Sequence, residues 1–292
     1  MTKTRRKMSE DIKQVDAVVE IIDARIPVSS RNPEIDTVTS GKPHIILLNK
    51  ADYADPDETR RWCEHFQKSN VTALACDCRS GKGLNRFAPA VKQLLAERIE
   101  YWTSKGMKGR FIKLMVVGIP NVGKSSFINR VTDSKKAKVA DRPGVTRGNQ
   151  WFTVRGSNIE LLDTPGVLWP KFDDVTVGHH LAYTGAIKDT VVDIDTLCCE
   201  LLGLLRDISP KAISERYKLD GDISAIAQND LLEMIARKRG MLISGGEPDR
   251  ERAAATVLDE FRGGKLGRFT LEKAPVPCSE EMNSRDDINA ED

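Results

Sequence analysis

Apolar positions along the chain come as short bursts before about residue 165 and as longer, helically spaced stripes after it. Three β-branched and aliphatic runs open the pattern: Ala17 to Ile22, His44 to Leu48 and Val71 to Ala75. Between them lie polar segments such as Asp57 to Lys68, where Trp62 and Phe66 fall on one helical face. Strands alternating with helices predict parallel crossovers and an α/β sheet. A helical stretch from Arg86 to about Trp102 leads into Thr103 to Arg110 (TSKGMKGR), which reads as a flexible linker, and a further strand, Phe111 to Val117, enters a Gly-rich turn. Gln150 to Arg155 and Asn158 to Leu162, joined at Gly156-Ser157, predict a hairpin.

From about Asp173 the pattern turns helical, with apolar runs at Thr196 to Leu205 and Leu231 to Ala236 and strand-like alternation only around Thr190 to Ile194. The expected organisation is an α/β domain over residues 1–175, a small helical domain over 176–274, and an acidic, polar tail over 275–292 that reads as disordered. No internal repeat interrupts this plan.

Composition adds mainly exclusions. With 40% hydrophobic and 30% charged residues in a chain of 292, neither a disordered nor a membrane class is favoured. No run of about 18 apolar residues exists, and the first residues lack the apolar segment of a secretory signal, so a cytoplasmic location is expected. The six cysteines show no paired zinc spacing and no disulfide density, and read as reduced, mostly buried thiols. The net charge is +2, so nucleic-acid contact has to come from local clusters such as Lys3 to Lys7 or Arg237, Lys238 and Arg239. A solvated surface is the alternative reading of either cluster.

The chemistry is concentrated in a few short motifs. Gly118 to Ser125 fits G-x-x-x-x-G-K-S and directly follows a predicted strand. Glycines at its ends let successive N–H groups turn inward and, with the next helix N-terminus, cradle phosphates. Asn121, Val122, Gly123, Lys124, Ser125 and Ser126 are therefore candidate nucleotide contacts. Lys124 is expected along the β- and γ-phosphates, and Ser125 as part of a Mg²⁺ shell. Base choice rests on Asn49, Lys50, Ala51 and Asp52: a carboxylate here can accept from guanine N1–H and its exocyclic amine together, whereas adenine has no such donor pair. Asp77 and Cys78, after the third strand, lie where a backbone N–H could meet guanine O6.

Asp163-Thr164-Pro165-Gly166 follows the strand Asn158 to Leu162. Asp163 is expected to hold a metal-bound water, the Gly166 N–H to meet the γ-phosphate, and Thr146 to supply a second hydroxyl to Mg²⁺. Lys124, Thr146 and Gly166 are the expected catalytic set. The motif order is base recognition, O6 loop, phosphate loop, metal threonine and γ-phosphate sensor, whereas in ordinary GTPases the first two come last. The expected fold is thus a circularly permuted P-loop GTPase domain with a doubly wound, mostly parallel sheet. Such a sheet tolerates the permutation because every site lies at the same carboxyl edge.

The stretches Val15 to Glu20, Asp23-Ala24-Arg25-Ile26-Pro27, NKAD, GIPNVGKSS, PGVTR and DTPGVLWP resemble the bacterial ribosome biogenesis GTPase A family of circularly permuted GTPases. The similarity continues through Thr184 to Asp189 and Lys238-Arg239-Gly240 to about Thr270. It implies an assembly factor for the large ribosomal subunit that binds ribosomal RNA, partly through the helical domain, and hydrolyses GTP there. It also implies that Asn121 helps hold a monovalent cation such as K⁺. Val167 occupies the place where many GTPases carry the glutamine that orients the attacking water. The family's histidine for that task belongs to a Pro-Gly-His segment that this sequence, starting Met1-Thr2-Lys3-Thr4-Arg5-Arg6, does not contain, and none of His44, His65, His179 or His180 is an evident substitute. The expectation is a monomeric GTPase of low intrinsic activity, stimulated by the ribosomal particle. The alternative is an RNA-docking module that uses GTP as a conformational clamp with marginal hydrolysis.

Overall fold

A computed structural model describes residues 2–39, 41–69, 71–132, 150–166 and 174–275. The chain enters through helix α1 (Thr2–Asp11) and lays down β1 (Ala17–Asp23), buried along its whole length. After a short α2 (Pro33–Val38) come β2 (His44–Asn49), α3 (Pro56–Lys68) and β3 (Thr72–Ala75). Two helices, α4 (Phe87–Leu94) and α5 (Ala96–Ser104), precede β4 (Ile112–Val117) and α6 (Lys124–Val131). The hairpin strands β5 (Gln150–Thr153) and β6 (Ile159–Asp163) complete one six-stranded sheet of order β3-β2-β1-β4-β6-β5. All neighbouring pairs are parallel except β5 with β6.

Local chemistry explains these elements. β1 is buried on both faces because helices cover both, and apolar except at the ion-paired Glu20 and Asp23. Its register sets Val18 beside His44 and Asp23 beside Asn49, so the functional ends of β1 and β2 finish level. α3 begins where the Asp55 carboxylate accepts from the N–H groups of Asp57 and Glu58, with Pro56 in the first turn. Its buried stripe, Thr59, Trp62 and Phe66, covers Ile46 and Leu48 of β2. On the other face Phe87 and Val91 of α4, Trp102 of α5 and Phe127 of α6 pack over Val19, Ile21, Leu114 and Val116. Burial of each such aliphatic or aromatic side chain stabilises by about 1.5–3 kcal/mol.

Beyond the sheet follow α7 (Val175–Tyr183), α8 (Ile194–Ile208), α9 (Pro210–Tyr217), α10 (Gln228–Lys238) and α11 (Arg250–Arg262). They enclose a core of their own, including Leu201, Leu205, Leu232, Ile235, Val257 and Phe261. α7 straddles the two: Leu181 packs under the sheet, whereas Ala182 and Tyr183 join the helical core. The architecture is the expected permuted α/β fold followed by helices.

Three expectations need correction. Thr190 to Ile194 is not strand-like: Asp189–Val191 makes a single 3-10 turn, and the Asp193 side chain then caps α8 by accepting from the Asp195 N–H. The stretch from Arg86 to Trp102 is two helices meeting at Leu95, whose side chain is drawn into the core under the sheet. The predicted linker Thr103 to Arg110 starts inside α5, which runs on to Ser104, and ends with the Arg110 guanidinium stacked on Trp102 at 4.2 Å. Cys76, Cys78, Cys198 and Cys199 are buried free thiols and Cys63 is half-buried. Among the described residues no helix is long and apolar enough to cross a membrane. Thr146, Val167, Cys278 and the tail from residue 276 lie outside the described residues.

Candidate nucleotide-binding site

The carboxyl ends of β2, β4 and β6 bring three of the sequence motifs to one edge of the sheet. The phosphate loop leaves β4 through Gly118 at φ +148°, where an added Cβ would lie 2.5 Å from the Ile21 carbonyl, and it closes at Gly123, φ +104°. Both positions require glycine, for the backbone angle and for the close approach. The Lys124 ammonium folds back inside this loop, donating to the carbonyls of Gly118 at 2.9 Å and Ile119 at 2.8 Å. Burial lowers the Lys124 pKa to about 8, with Asp163 opposing the shift. An ammonium so poorly hydrated is poised to gain from an anionic ligand. Ser125 and Ser126 follow in the first turn of α6, half-buried.

Gly166 closes the pocket from the other side. A Cβ on it would stand 2.6 Å from the Lys124 ammonium and 3.1 Å from the backbone of Pro120, so the sensor loop touches the phosphate loop directly. Thr164 anchors that loop by donating its hydroxyl to the Val116 carbonyl at 2.6 Å, and Asp163 is buried at the end of β6. Asp163 and Ser125 offer the carboxylate and hydroxyl oxygens that Mg²⁺ takes, a donor set that fits the ion.

The base-recognition motif shows a division of labour the sequence did not reveal. Asn49 is engaged within the protein: Nδ2 donates to the Val122 carbonyl at 2.6 Å and Oδ1 accepts from the Cys78 N–H at 2.9 Å, leaving the second Nδ2 hydrogen for a base. Asn49 is a brace between the phosphate loop and the loop after β3. Asp52 differs, because its Oδ1 is buried without a hydrogen-bond partner. Burial, reinforced by the nearby Asp77, raises its pKa. A buried carboxylate oxygen left unsatisfied costs stability until a donor arrives, and guanine N1–H with its amine is a matching donor pair.

The loop after β3 also differs from expectation. The Asp77 N–H goes to the Lys82 carbonyl, the Cys78 N–H to Asn49, and the N–H groups of Arg79 and Ser80 to the Asp77 carboxylate. The O6 contact expected of Asp77 or Cys78 is therefore not preformed, since this loop spends its donors on holding its own shape.

Behind the base motif lies a buried network that motif spacing could not show. Lys50, at φ +60°, places its ammonium 2.9 Å from Asp23, which also holds the Arg25 guanidinium at 2.8 and 2.9 Å. Arg25 continues to the carbonyl of Phe261 in α11 at 3.0 Å and lies over its ring. Burial alone would raise the Asp23 pKa, but the two cations outweigh it and hold the carboxyl well below the usual range. Lys50, expected among the nucleotide contacts, is thereby tied to the helical region. Asn121, at φ +60° in the phosphate loop, likewise reaches it by donating to the Gly185 carbonyl at 2.7 Å.

The basic cluster in α10 is less free than its sequence suggests. Arg237 pairs with Glu247, Lys238 with Asp220, and Arg239 with Glu260. Each ion pair neutralises part of the charge available to a phosphate backbone.

Comparison with known proteins agrees with this geometry. A family model described as 50S ribosome-binding GTPase matches residues 113–239. The chain is 46% identical over 273 residues to ribosome biogenesis GTPase A of Priestia megaterium, covering 93% of this chain and 94% of that protein. It is 31% identical to the mouse mitochondrial ribosome-associated GTPase 1, over 95% of this chain and 90% of that one. Among solved structures, GNP-bound YlqF from T. maritima superposes with a TM-score of 0.62 at 26% identity, over 94% of this chain and 100% of that chain. GDP-bound YlqF gives 0.61 at 27%, over 91% of this chain and 98% of that chain. Permuted motif order, site geometry and these likenesses together place the chain in the ribosome biogenesis GTPase A family, as a GTP-binding GTPase with a role in ribosome assembly.

Proposed function

We propose that the chain is an assembly factor for the large ribosomal subunit, binding ribosomal RNA in a nucleotide-dependent way and hydrolysing GTP slowly until the particle stimulates it. The observation that carries the nucleotide half is the buried, partnerless Oδ1 of the half-buried Asp52, an acceptor on the same sheet edge as the phosphate loop. In this reading Asp52 selects guanine, while Asn49 and Cys78 keep the base loop and the phosphate loop in register. Lys124 leaves its loop carbonyls for the β- and γ-phosphates, and the Gly166 N–H senses whether the γ-phosphate is present. Ser125, Thr146 and, through water, Asp163 would hold Mg²⁺, which neutralises charge on the phosphates. Asn121 is proposed to contribute to a K⁺ site, and Arg237, Lys238 and Arg239 to contact RNA by exchanging their carboxylate partners for phosphates.

The relatives whose names carry ribosome biogenesis or ribosome association support the assembly role. The decisive experiment is a single-turnover GTPase assay with and without purified large subunits, in K⁺ and in Na⁺. Stimulation by the subunit in K⁺ is expected. Equal rates with and without subunits would reject particle-stimulated hydrolysis, and equal rates in the two salts would reject the K⁺ site.

A further inference from the structure

Between Tyr101 and Lys113 the chain carries four cations, Lys105, Lys108, Arg110 and Lys113, and no acidic residue, against a net +2 over all 292 residues. Arg110 is partly spoken for, 3.7 Å from Asp16. Among the described residues no carboxylate lies within ion-pair distance of Lys105, Lys108 or Lys113. The strand register sets Glu160 beside Lys113, yet the Lys113 ammonium lies over the Trp151 ring instead, 5.1 Å from its centroid. Lys105 stands 5.8 Å over Tyr101. This is the reverse of the α10 cluster, where each cation has its acid.

Large apolar side chains are exposed among these lysines: Tyr101 is 58% exposed, Met107 42%, Phe111 44% and Trp151 37%. Exposed aromatic rings beside unpaired ammonium groups suit one partner chemistry well, since nucleobases stack on the rings while the phosphates between them meet the lysines. We propose that this rim, running from the amino end of β4 across β6 to Trp151 of the edge strand β5, is an RNA-docking surface that takes an unpaired segment with its bases splayed out. The proposal rests on the reading that the chain binds ribosomal RNA, and adds where and in what form. Paired RNA suits the face less, because stacked bases cannot reach the rings. The lysines of the rim and the phosphate loop lie at opposite ends of β4, about 17 Å apart for a strand of this length, with Trp151 level with Met115 between them. RNA held here is accordingly held in either nucleotide state, an anchor rather than part of the switch.

The test compares a fluorescent oligouridine strand, an RNA duplex of equal length and purified large subunits as ligands of the full chain, with GDP and with a non-hydrolysable GTP analogue. The wild type should prefer the single strand and bind it equally with either nucleotide. K105E/K108E/K113E should flatten the log–log salt dependence of single-strand binding by about 2, as expected for three lost phosphate contacts. Trp151→Ala should weaken that binding at least about five-fold without changing its salt dependence. GTP affinity should be unchanged in both, which also reports intact folding; K105Q/K108Q/K113Q serves if the charge reversal misfolds. Variants that bind the single strand as the wild type does would overturn the docking face while leaving the broader RNA reading intact. Loss of subunit binding with RNA binding retained would assign the face to an acidic protein and equally overturn it. A wild type that binds neither RNA nor subunits would overturn both.

Discussion

The Asn121 amide in the phosphate loop donates to the Gly185 carbonyl at 2.7 Å, joining the nucleotide site to a turn 64 residues further along the chain. That turn is held from behind by Arg262, whose guanidinium donates to the carbonyls of Ala182 and Tyr183 and forms an ion pair with Asp189 at 2.6 Å. The turn is thus clamped between the phosphate loop and α11.

Asn121→Gly tests the clamp without introducing strain, because glycine accepts φ +60° freely. It should lower stability by at most about 1 kcal/mol, a single hydrogen bond with one exposed partner. Amide exchange across residues 181–189 should become faster and insensitive to bound nucleotide. Protection that still responds to nucleotide would show that the bond carries no signal.

Lys124 gives a pH-dependent binding signature. Its pKa of about 8 in the free protein lies below that of a solvated lysine, so between the two values the folded state binds fewer protons than the unfolded one. Stability of the free protein from this group therefore rises with pH from about 8 upward. Nucleotide phosphates favour the charged form, so GTP binding near pH 8 should take up about half a proton per site. Calorimetry in two buffers of different ionisation enthalpy reads this uptake directly. Lys124→Ala should abolish it together with most of the affinity, and uptake that survives in the variant would assign the proton to another group.

Asp52→Asn replaces a double acceptor with a group that can donate. Loss of charge-assisted bonds of about 1.5–3 kcal/mol each should weaken GTP binding by roughly ten- to a hundred-fold. Xanthine nucleotides, which carry a carbonyl where guanine has its amine, should gain in relative affinity. Because burial and Asp77 raise the wild-type pKa, guanine affinity should fall on acidification at a pH above that of an ordinary aspartate. Competition by ATP as effective as by GDP would remove Asp52 from base selection.

The strands were legible because parallel strands buried on both faces read as apolar runs, as Ile45 to Leu48 of β2 does, and the phosphate loop because its backbone demands glycine at two fixed places. Asn49 was visible only as a motif member. Its partners, Val122 and Cys78, lie 73 and 29 residues away, so nothing local separates a base-reading amide from a bracing one. The contact of Arg25 with Phe261 spans 236 residues and follows from docking of the helical region, which no periodicity encodes. Thr190 to Ile194 misled because its alternating β-branched residues occupy a 3-10 turn and a helix cap, where tertiary context decides.

The Asp23, Arg25 and Lys50 network makes an acid-stability prediction. Its carboxyl is held well below the usual range, so its stabilisation is complete above about pH 4, the ordinary aspartate value, and is lost as the pH falls toward the folded-state pKa. Asp23→Asn leaves two cations buried without their anion and should cost about 3–5 kcal/mol at pH 7. In urea unfolding the gap between variant and wild type should narrow below about pH 4. A gap that stays constant with pH would mean that packing, not charge, is what the substitution removes.

The contacts that tie the site to the helical region bear on nucleotide-dependent affinity for the large subunit. Permutation places the sensor Asp163 to Gly166 shortly before α7, a route along the chain. The fold adds two routes through space: Asn121 to Gly185 from the phosphate loop, and Lys50 through Asp23 and Arg25 to Phe261 from the base loop. A switch requires that the ligand differ in its affinity for two states, and in the proposed site only the phosphate loop and the Asp163 to Gly166 loop would adjoin the γ-phosphate. Large-subunit affinity should therefore be greater with a non-hydrolysable GTP analogue than with GDP, by about five-fold or more. Asn121→Gly should shrink that ratio, whereas Arg237→Glu/Lys238→Glu/Arg239→Glu should lower affinity in both states and flatten the salt dependence. Each α10 cation already has a carboxylate partner, so the triple variant needs a urea-unfolding control for lost ion pairs. Equal affinities with the two nucleotides in the wild type would reject the switch, and an unchanged triple variant would return the α10 cluster to a role in packing the helical region.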